Sequence, residues 1–434
     1  RTRLQAARSQ IQASSTDTQR ERVWRLRESL DELEEDIGAC EARIDICLQT
    51  TLQTVPRHRA AQAFHASRIA GRLQDSEGQH PAAIRRLEVA LTEADVRGRY
   101  TGLLKGLGAL TLCTDRPTMV SIQAWHRRGD RFVAGDIAYL GPSELEKFSL
   151  RRGLYVASFR SPGTDVRMPI WIARGQHEGL GPGGTVLPVQ LPHADERGAD
   201  EVYVPRGRSW MGGDPRAQGD RLPEAHRVWV ENNLMVRQHT TTVGEWCEML
   251  DDLRRHDRMD EAMACVPRTR GAAGSDGSPI LKLDPATGRH HPVPDAEGHV
   301  WQDDWPIFAV PQAAIDIFVA WRRERDGLDW RLPREDEWMR IARGADQRSY
   351  PWGHAYEPGF AALLDAQTGD ERLPFPVGSF PRDVSPFGPI FDLSGGLMQR
   401  MGHGHTAEPQ LDGERLLVPP LDRIQALRGG TWFG

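Results

Sequence analysis

Apolar residues recur at alternating steps of three and four from Val23 to Cys47: Val23, Leu26, Leu30, Leu33, Ile37, Cys40, Ile44 and Cys47. That spacing lines one stripe of a helix, a seam that packs against another helix. The preceding Thr18-Gln-Arg-Glu21 can form a capping box, so the helix is expected to begin at Thr18. A dimerising coiled coil and an intramolecular helical hairpin give the same stripe, and the hairpin is the commoner source. Two further helices are predicted over residues 57–95, broken at Asp75-Ser-Glu-Gly78, with Pro81 in the first turn of the second. Ile84, Leu87, Leu91 and Ala94 form its buried face.

After Gly106 the pattern shortens to β-branched and aromatic runs at 110–114, 120–125, 154–159 and 169–172, with turns between them. From residue 198 onward short apolar runs and helical stretches alternate. The expected division is a helical region over 1–105, a small β-sandwich over 106–197 and an α+β domain over 198–434. The stretch 268–300, rich in glycine, serine, aspartate and proline, reads as a surface insertion.

A length of 434 residues agrees with two or three domains. Hydrophobic residues at 39% and charged residues at 27%, with 43 glycines and 30 prolines, describe a folded chain rich in turns. The net charge of -6, without a dominant lysine or arginine run, argues against a nucleic-acid partner. Five cysteines (Cys40, Cys47, Cys113, Cys247, Cys265) lack a Cys-x-x-Cys pair, so neither a disulfide framework nor a zinc site is expected. A reducing cytoplasm is the expected location, since no apolar stretch approaches the roughly 20 residues of a bilayer span. The first residues, RTRLQAARSQ, are neither a signal peptide nor a start methionine, so the chain reads as part of a longer one. No glycine-rich phosphate loop, H-R-D-x-x-x-x-N or D-F-G motif is present, so these residues do not carry phosphoryl transfer.

Chemistry concentrates in the C-terminal half. Pro333 fits the first turn of a helix, Glu335 and Asp336 favour its positive end, and Trp338 and Ile341 share one face. That helix belongs to an ordered series. It opens with Val202-Tyr-Val-Pro-Arg-Gly-Arg-Ser-Trp-Met-Gly-Gly213, then Thr242, Glu245 and Trp246, then Asp304-Trp-Pro-Ile307 with a helical run through Trp321. It continues with Leu332, Pro333, Glu335, Glu337 and Trp338, with Tyr350-Pro-Trp352-Gly353, and with Asp392-Leu-Ser-Gly-Gly-Leu-Met-Gln-Arg-Met401. It closes on Arg428, Gly429, Gly430 and Trp432. In this order the segments resemble the formylglycine-generating enzyme and sulfatase-modifying-factor family, over just more than half the chain.

The resemblance implies a C-type-lectin-like fold and, in active members, two cysteine thiolates that hold copper while a substrate cysteine is oxidised to formylglycine; thiolates suit cuprous ion because they are soft ligands. Gly434 holds the place of the first of those cysteines, and the second would lie beyond it. Where the family has G-N-V-W-E-W, which helps to hold a structural calcium through oxygen ligands, this chain has Gly395, Gly396, Leu397, Met398, Gln399 and Arg400. Copper or calcium is therefore expected only if those family sites survive. Cys247 and Cys265, in the helix after Thr242 and the loop beyond it, match no catalytic position. The remaining metal candidates are His403 and His405, with His290-His291 beside them; the three-histidine pattern of the related iron-dependent sulfoxide synthases does not occur. The tryptophans at 210, 229, 305, 330, 338 and 352 are expected to pack the domain interior.

The β module resembles the PEGA type and the hairpin near Val55-Pro56 a tetratricopeptide-type unit. Together the parts resemble the region downstream of the catalytic domain in bacterial serine/threonine kinases fused to formylglycine-generating-type domains. The expected function is a non-catalytic sensor that binds a protein or small ligand through its C-terminal domain, with a kinase domain in the same chain and a homodimer through the helical region as further partners. The alternatives are an active copper-dependent oxidase whose cysteines lie beyond Gly434, and a variable receptor of C-type-lectin-like fold.

Overall fold

The computed structural model describes residues 17–76, 81–129, 131–161, 164–213, 225–268, 277–295, 298–367, 373–402, 410–412, 415–417 and 427–430. Helix α1 (Asp17–Thr54) carries the seam, and α2 (Arg59–Asp75) and α3 (Pro81–Ala94) form the pair read from 57–95. Asp17 is already helical, so Thr18 is not the cap, which would need an extended backbone. The C-terminal part of α1 is fixed to α2: Asp45 accepts from Arg68 at 3.1 Å and Arg72 at 2.7 Å, and Leu48 is buried. Farther up, Leu33 and Ile37 are 58% and 57% exposed, and Cys40 and Cys47 are exposed too, so the middle of the seam faces solvent. Leu73, Ile84, Leu91 and Leu103 form the core of the α2–α3 pair. Among the described residues no helix is long and apolar enough to cross a membrane.

The short helix α4 (Thr101–Leu104) leads into the β region. Arg174, buried there, donates to the Leu103 carbonyl at 2.8 Å and pairs with Glu88 of α3 at 2.7 Å, which ties the two regions together. The strands are β1 (Leu107–Leu112), β2 (Met119–Arg128), β3 (Arg131–Pro142), β4 (Leu145–Arg151), β5 (Gly153–Ser161), β6 (Thr164–Ile172) and β7 (His177–Glu178). One sheet has the order β3-β2-β5-β6 and is antiparallel; the other has the order β4-β1-β7. Leu110, Leu112 and Leu150 of the smaller sheet share a core with Val120, Ile122 and Phe159 of the larger. The predicted runs at 120–125, 154–159 and 169–172 lie on β2, β5 and β6, and the run at 110–114 overruns β1 by two residues. Strand β3 escaped the sequence pattern because it is an edge strand whose Ile137 and Leu140 stay exposed.

Among the described residues the C-terminal domain is built from short antiparallel ladders and four α-helices. Strand β8 (Glu201–Val204) pairs with β11 (Leu234–Arg237), and β9 (Gly207–Met211) with β10 (His226–Val230). Helices α5 (Val243–Arg255) and α6 (Met259–Ala264) precede the hairpin β12 (Leu281–Leu283) and β13 (His290–Pro292), followed by α7 (Gln312–Asp326) and α8 (Glu335–Arg343). Near the end, β14 (Gln399–Arg400) pairs with β17 (Leu427–Arg428), and β15 (Gln410–Asp412) with β16 (Arg415–Leu417).

Two sequence expectations need correction here. The stretch read as a surface insertion holds the β12–β13 hairpin, and its Ile280 and Leu281 are 1% exposed in the core made by α5, α6 and α7; two apolar residues among many polar ones were too weak a pattern to mark it. Cys265 lies not in a loop but at the C-cap of α6, also inside that core. A second core joins β8 to α8 through Val204, Ile341, Phe387 and Met401. Arg340, 2% exposed, locks this junction by donating to the carbonyls of Pro205, Arg206 and Arg208 while lying over the Phe387 ring at 5.0 Å. Three carbonyl acceptors compensate a cation that burial pushes down to about 9.

Candidate functional site

Helix α5 begins with a reciprocal cap. The Thr242 hydroxyl accepts from the Glu245 amide at 3.2 Å, and the Glu245 carboxylate accepts from the Thr242 amide at 3.1 Å. Glu245 also receives the Arg237 guanidinium at 3.0 Å, which fixes β11 to the helix. Trp246 is 2% exposed, stacks on Phe318 of α7 with 5.2 Å between rings, and donates to the Cys265 carbonyl at 2.9 Å. These three motif residues therefore set the position of α5 against β11 and α7.

Helix α8 has Arg334 as its N-cap, so Pro333 stands before the cap and not in the first turn. The cause is Glu337, whose carboxylate reaches back to the Arg334 amide at 2.8 Å and sets the start there. Arg334 cannot complete the box from its own side, because a guanidinium has no acceptor. Glu337 also receives Asn232 at 3.2 Å and two nitrogens of Arg331. Burial pushes its carboxyl up, but the bonds from Arg331, the Arg334 amide and Asn232 outweigh that and hold it at about 2. Glu335 pairs with Arg428 of β17, so the Leu332–Trp338 motif and the closing glycine motif meet in space. Gly430 follows because a Cβ there would lie 2.5 Å from the Ser394 carbonyl.

The segment aligned with G-N-V-W-E-W is knitted to the same helix. Trp338 donates to the Gln399 side-chain oxygen at 2.9 Å, and the Gln399 amide nitrogen donates to the Asp392 carbonyl at 2.8 Å. Asp392 sits at φ 60, in the left-handed region, and accepts from the Gly378 amide at 2.8 Å. Asp383, which is fully buried, accepts from the amides of Ser394 at 2.9 Å and Gly395 at 3.0 Å. Burial pushes Asp383 up to about 7, over the opposing pull of the Ser394 amide, and the charge of Asp392 adds to the rise. A Cβ on Gly395 would meet the Ala362 backbone nitrogen at 2.5 Å, so only glycine fits this turn.

The described residues do not fit the family's metals. For calcium, the carboxylates of Asp383 and Asp392 are engaged by backbone amides, both functions of Gln399 are taken, and Gly396 offers no side-chain oxygen. For copper, Cys247 and Cys265 sit in an apolar core, where burial pushes their thiols up to about 12 and about 11. Such groups are thiols at neutral pH and not the thiolate pair that cuprous ion needs. Among the described residues no three His, Cys, Asp or Glu side chains converge to hold a metal ion. His290 is not a free surface histidine: it is held by Asp251 at 2.7 Å, with its side chain 7% exposed. His403, His405, Trp432 and Gly434 lie outside the described residues.

What the motifs do enclose is a cavity of about 930 Å³ between β11, α7, α8 and β14. Trp246, Phe318, Trp330, Trp338 and Phe391 supply much of its apolar wall, and Leu332 and Pro333 contribute to its rim. His239 stacks on Phe391 with 5.2 Å between rings. The tryptophans divide: Trp305, Trp338 and Trp352 are buried, whereas Trp210, Trp229 and Trp330 are only partly so. Trp210 lies beneath Arg227 at 5.2 Å instead of in a core, and Trp330 faces the cavity, because each sits on a ladder edge or loop that leaves one ring face uncovered. The Tyr350–Gly353 turn lies elsewhere: the Trp352 carbonyl accepts from the Phe132 amide of β3 at 3.0 Å, so this motif joins the domain to the β region. Sequence reasoning missed Asp383, Arg340, His239 and Thr240: Asp383 lies in a loop, Arg340 on a helix, and His239 and Thr240 within the polar run after β11, and none carries a spacing signal.

The model of the sulfatase-modifying factor enzyme 1-like domain matches residues 188–434. The chain belongs to this family. Hercynine oxygenase of Mycolicibacterium smegmatis is 28% identical over 198 residues, 43% of this chain and 42% of that enzyme. The chain thus matches less than half the length of that curated relative. PvdO from Pseudomonas aeruginosa is 19% identical, covers 54% of this chain and 82% of its own, and superposes with a TM-score of 0.35. Membership in the family accords with where its motifs stand: Thr242, Glu245, Trp246, Glu335, Glu337, Trp338 and Arg428 hold the elements around the cavity together.

Proposed function

We propose that the C-terminal domain is a ligand-binding receptor and not a catalyst, and that the helical and β regions carry it as the sensor part of a signalling kinase. The observation behind this reading is the location of the two cysteines within residues 198–434, Cys247 and Cys265. Both are thiols in the core of α5 to α7, while the motif residues enclose a cavity without a cysteine on its wall. Its volume falls in the range of about 300–1,000 Å³ usual for small-ligand sites. The tetratricopeptide-type hairpin, the PEGA-type β module and the kinase partner belong to the same proposal, supported by the order of the three regions along the chain. The test is incubation with cuprous ion and a Cys-x-Pro-x-Arg peptide under oxygen. The receptor reading expects the peptide thiol to survive intact, and formylglycine in the peptide overturns it.

A second reading, an oxygenase, is favoured by the 28% identity with hercynine oxygenase. Oxygen uptake that depends on hercynine, above that of ferrous ion with the protein alone, together with an oxidised hercynine product, would support it over the receptor.

A further inference from the structure

We propose that the cavity binds an apolar molecule bearing a carboxylate, with Arg400 as the anchoring cation. This assignment rests on the receptor reading and adds the charge of the ligand. Among the described residues the wall carries four arginines, and three already have carboxylate partners: Arg237 with Glu245, Arg322 with Asp326 at 2.6 Å, and Arg331 with Glu337. Arg400 differs. One of its nitrogens donates to the neutral Gln312 side chain at 2.8 Å, and among the described residues no carboxylate lies within ion-pair distance of it. A guanidinium has five N–H donors and stays charged, so most of its capacity is left for a ligand.

The acids on the wall do not neutralise it. Glu337 is taken by Arg331, Asp329 by Arg323 at 3.1 Å, and Glu196 and Glu201 accept the backbone amides of His193 and Gly198. Three further polar atoms on the wall, Nε of Arg237, Nδ1 of His239 and Oγ1 of Thr240, are buried without a hydrogen-bond partner, which costs stability unless a bound group satisfies them. The remaining wall is aromatic and aliphatic, from Trp246, Phe308, Phe318, Trp330 and Trp338. A cation without a carboxylate among the described residues, three unsatisfied polar atoms and an apolar lining together select an amphipathic carboxylate, because a fork of N–H donors matches its two oxygens.

Calorimetric titration of the whole chain at pH 7.5 tests this with two pairs of probes, decanoate against decanamide and indole-3-acetate against indole-3-acetamide. The aliphatic and aromatic pairs decide which apolar body the cavity takes. The expected result is that a carboxylate binds at least about tenfold more tightly than its amide, as a charge-assisted bond gained would give. Arg400→Gln should erase this preference while amide binding persists, and Arg400→Lys should restore part of it. Equal affinity for acid and amide, or a preference that survives Arg400→Gln, overturns the assignment to Arg400 and leaves the receptor reading standing. Failure of all four probes to bind overturns both.

Discussion

Arg331 meets Glu337 through two parallel hydrogen bonds, of 2.7 and 2.8 Å, and Glu337 is fully buried beneath it. The pair closes the start of α8, on which the cavity's Trp338 is mounted, so it couples helix capping to the shape of the site.

Arg331→Ala should lower stability by about 2–3 kcal/mol in urea unfolding. Breaking a fully buried pair costs about 3–5 kcal/mol, and the 38% exposure of the Arg331 side chain together with the surviving Arg334 and Asn232 bonds reduces that. The pH dependence has a defined sign. Glu337 is held at about 2 against an ordinary 4.5, so its contribution is fully present above pH 4.5 and is lost as pH falls through 2. Glu337→Gln should flatten this acid limb, and an unchanged limb would remove Glu337 as its source.

Asp383 works in the opposite direction. Its folded pKa near 7 lies above the ordinary 3.8, so the stability it contributes is present below pH 3.8 and is lost as pH rises through 7. Unfolding midpoints should correspond to a loss of about 2–3 kcal/mol between pH 5 and pH 8 from this group. Asp383→Asn cannot ionise and should remove that slope.

Restoring the family's glutamate at Gln399 should destabilise this protein. The amide both accepts from Trp338 and donates to the Asp392 carbonyl, whereas a carboxylate can only accept and would face that carbonyl oxygen. Gln399→Glu is expected to cost about 1–3 kcal/mol in calcium-free buffer. A higher melting temperature for the variant would show that the amide pair contributes little.

Thiol labelling with an aromatic disulfide reagent at pH 8 should modify the exposed Cys40 and Cys47 in the native protein. Cys247 and Cys265, buried and held as thiols, should react only after unfolding. Rapid native labelling of either would mean that the α5–α7 core opens and would reopen the question of a copper pair.

Local pattern alone was enough for α2, α3 and the strands around Val120 and Phe159, because each buries a face whose period is visible over several residues. It was enough also for the cap at Thr242 and Glu245, which are three residues apart and act on one another directly. The start of α8 was misplaced by two residues because Pro333 suits a first turn, and the bond from Glu337 to the Arg334 amide, which decides the matter, is not a propensity. The buried Ile280 and Leu281 were invisible for a related reason, since the core they enter is made by α5, α6 and α7, whereas β3 was invisible because an edge strand leaves Ile137 and Leu140 exposed.

The sequence by itself determined the helical N-terminal region, most helices and the family of the C-terminal domain, since these follow from periodicity and from motif residues with fixed spacing. Tertiary structure alone decided that Glu335 meets Arg428, that Asp383 is buried against the Gly395 turn, and that Arg400 stands on an aromatic cavity with no carboxylate partner among the described residues. Those relations join residues up to 93 positions apart in the chain, as Glu335 and Arg428 are. Burial and pairing across such distances depend on which surfaces pack together, and no local pattern encodes that.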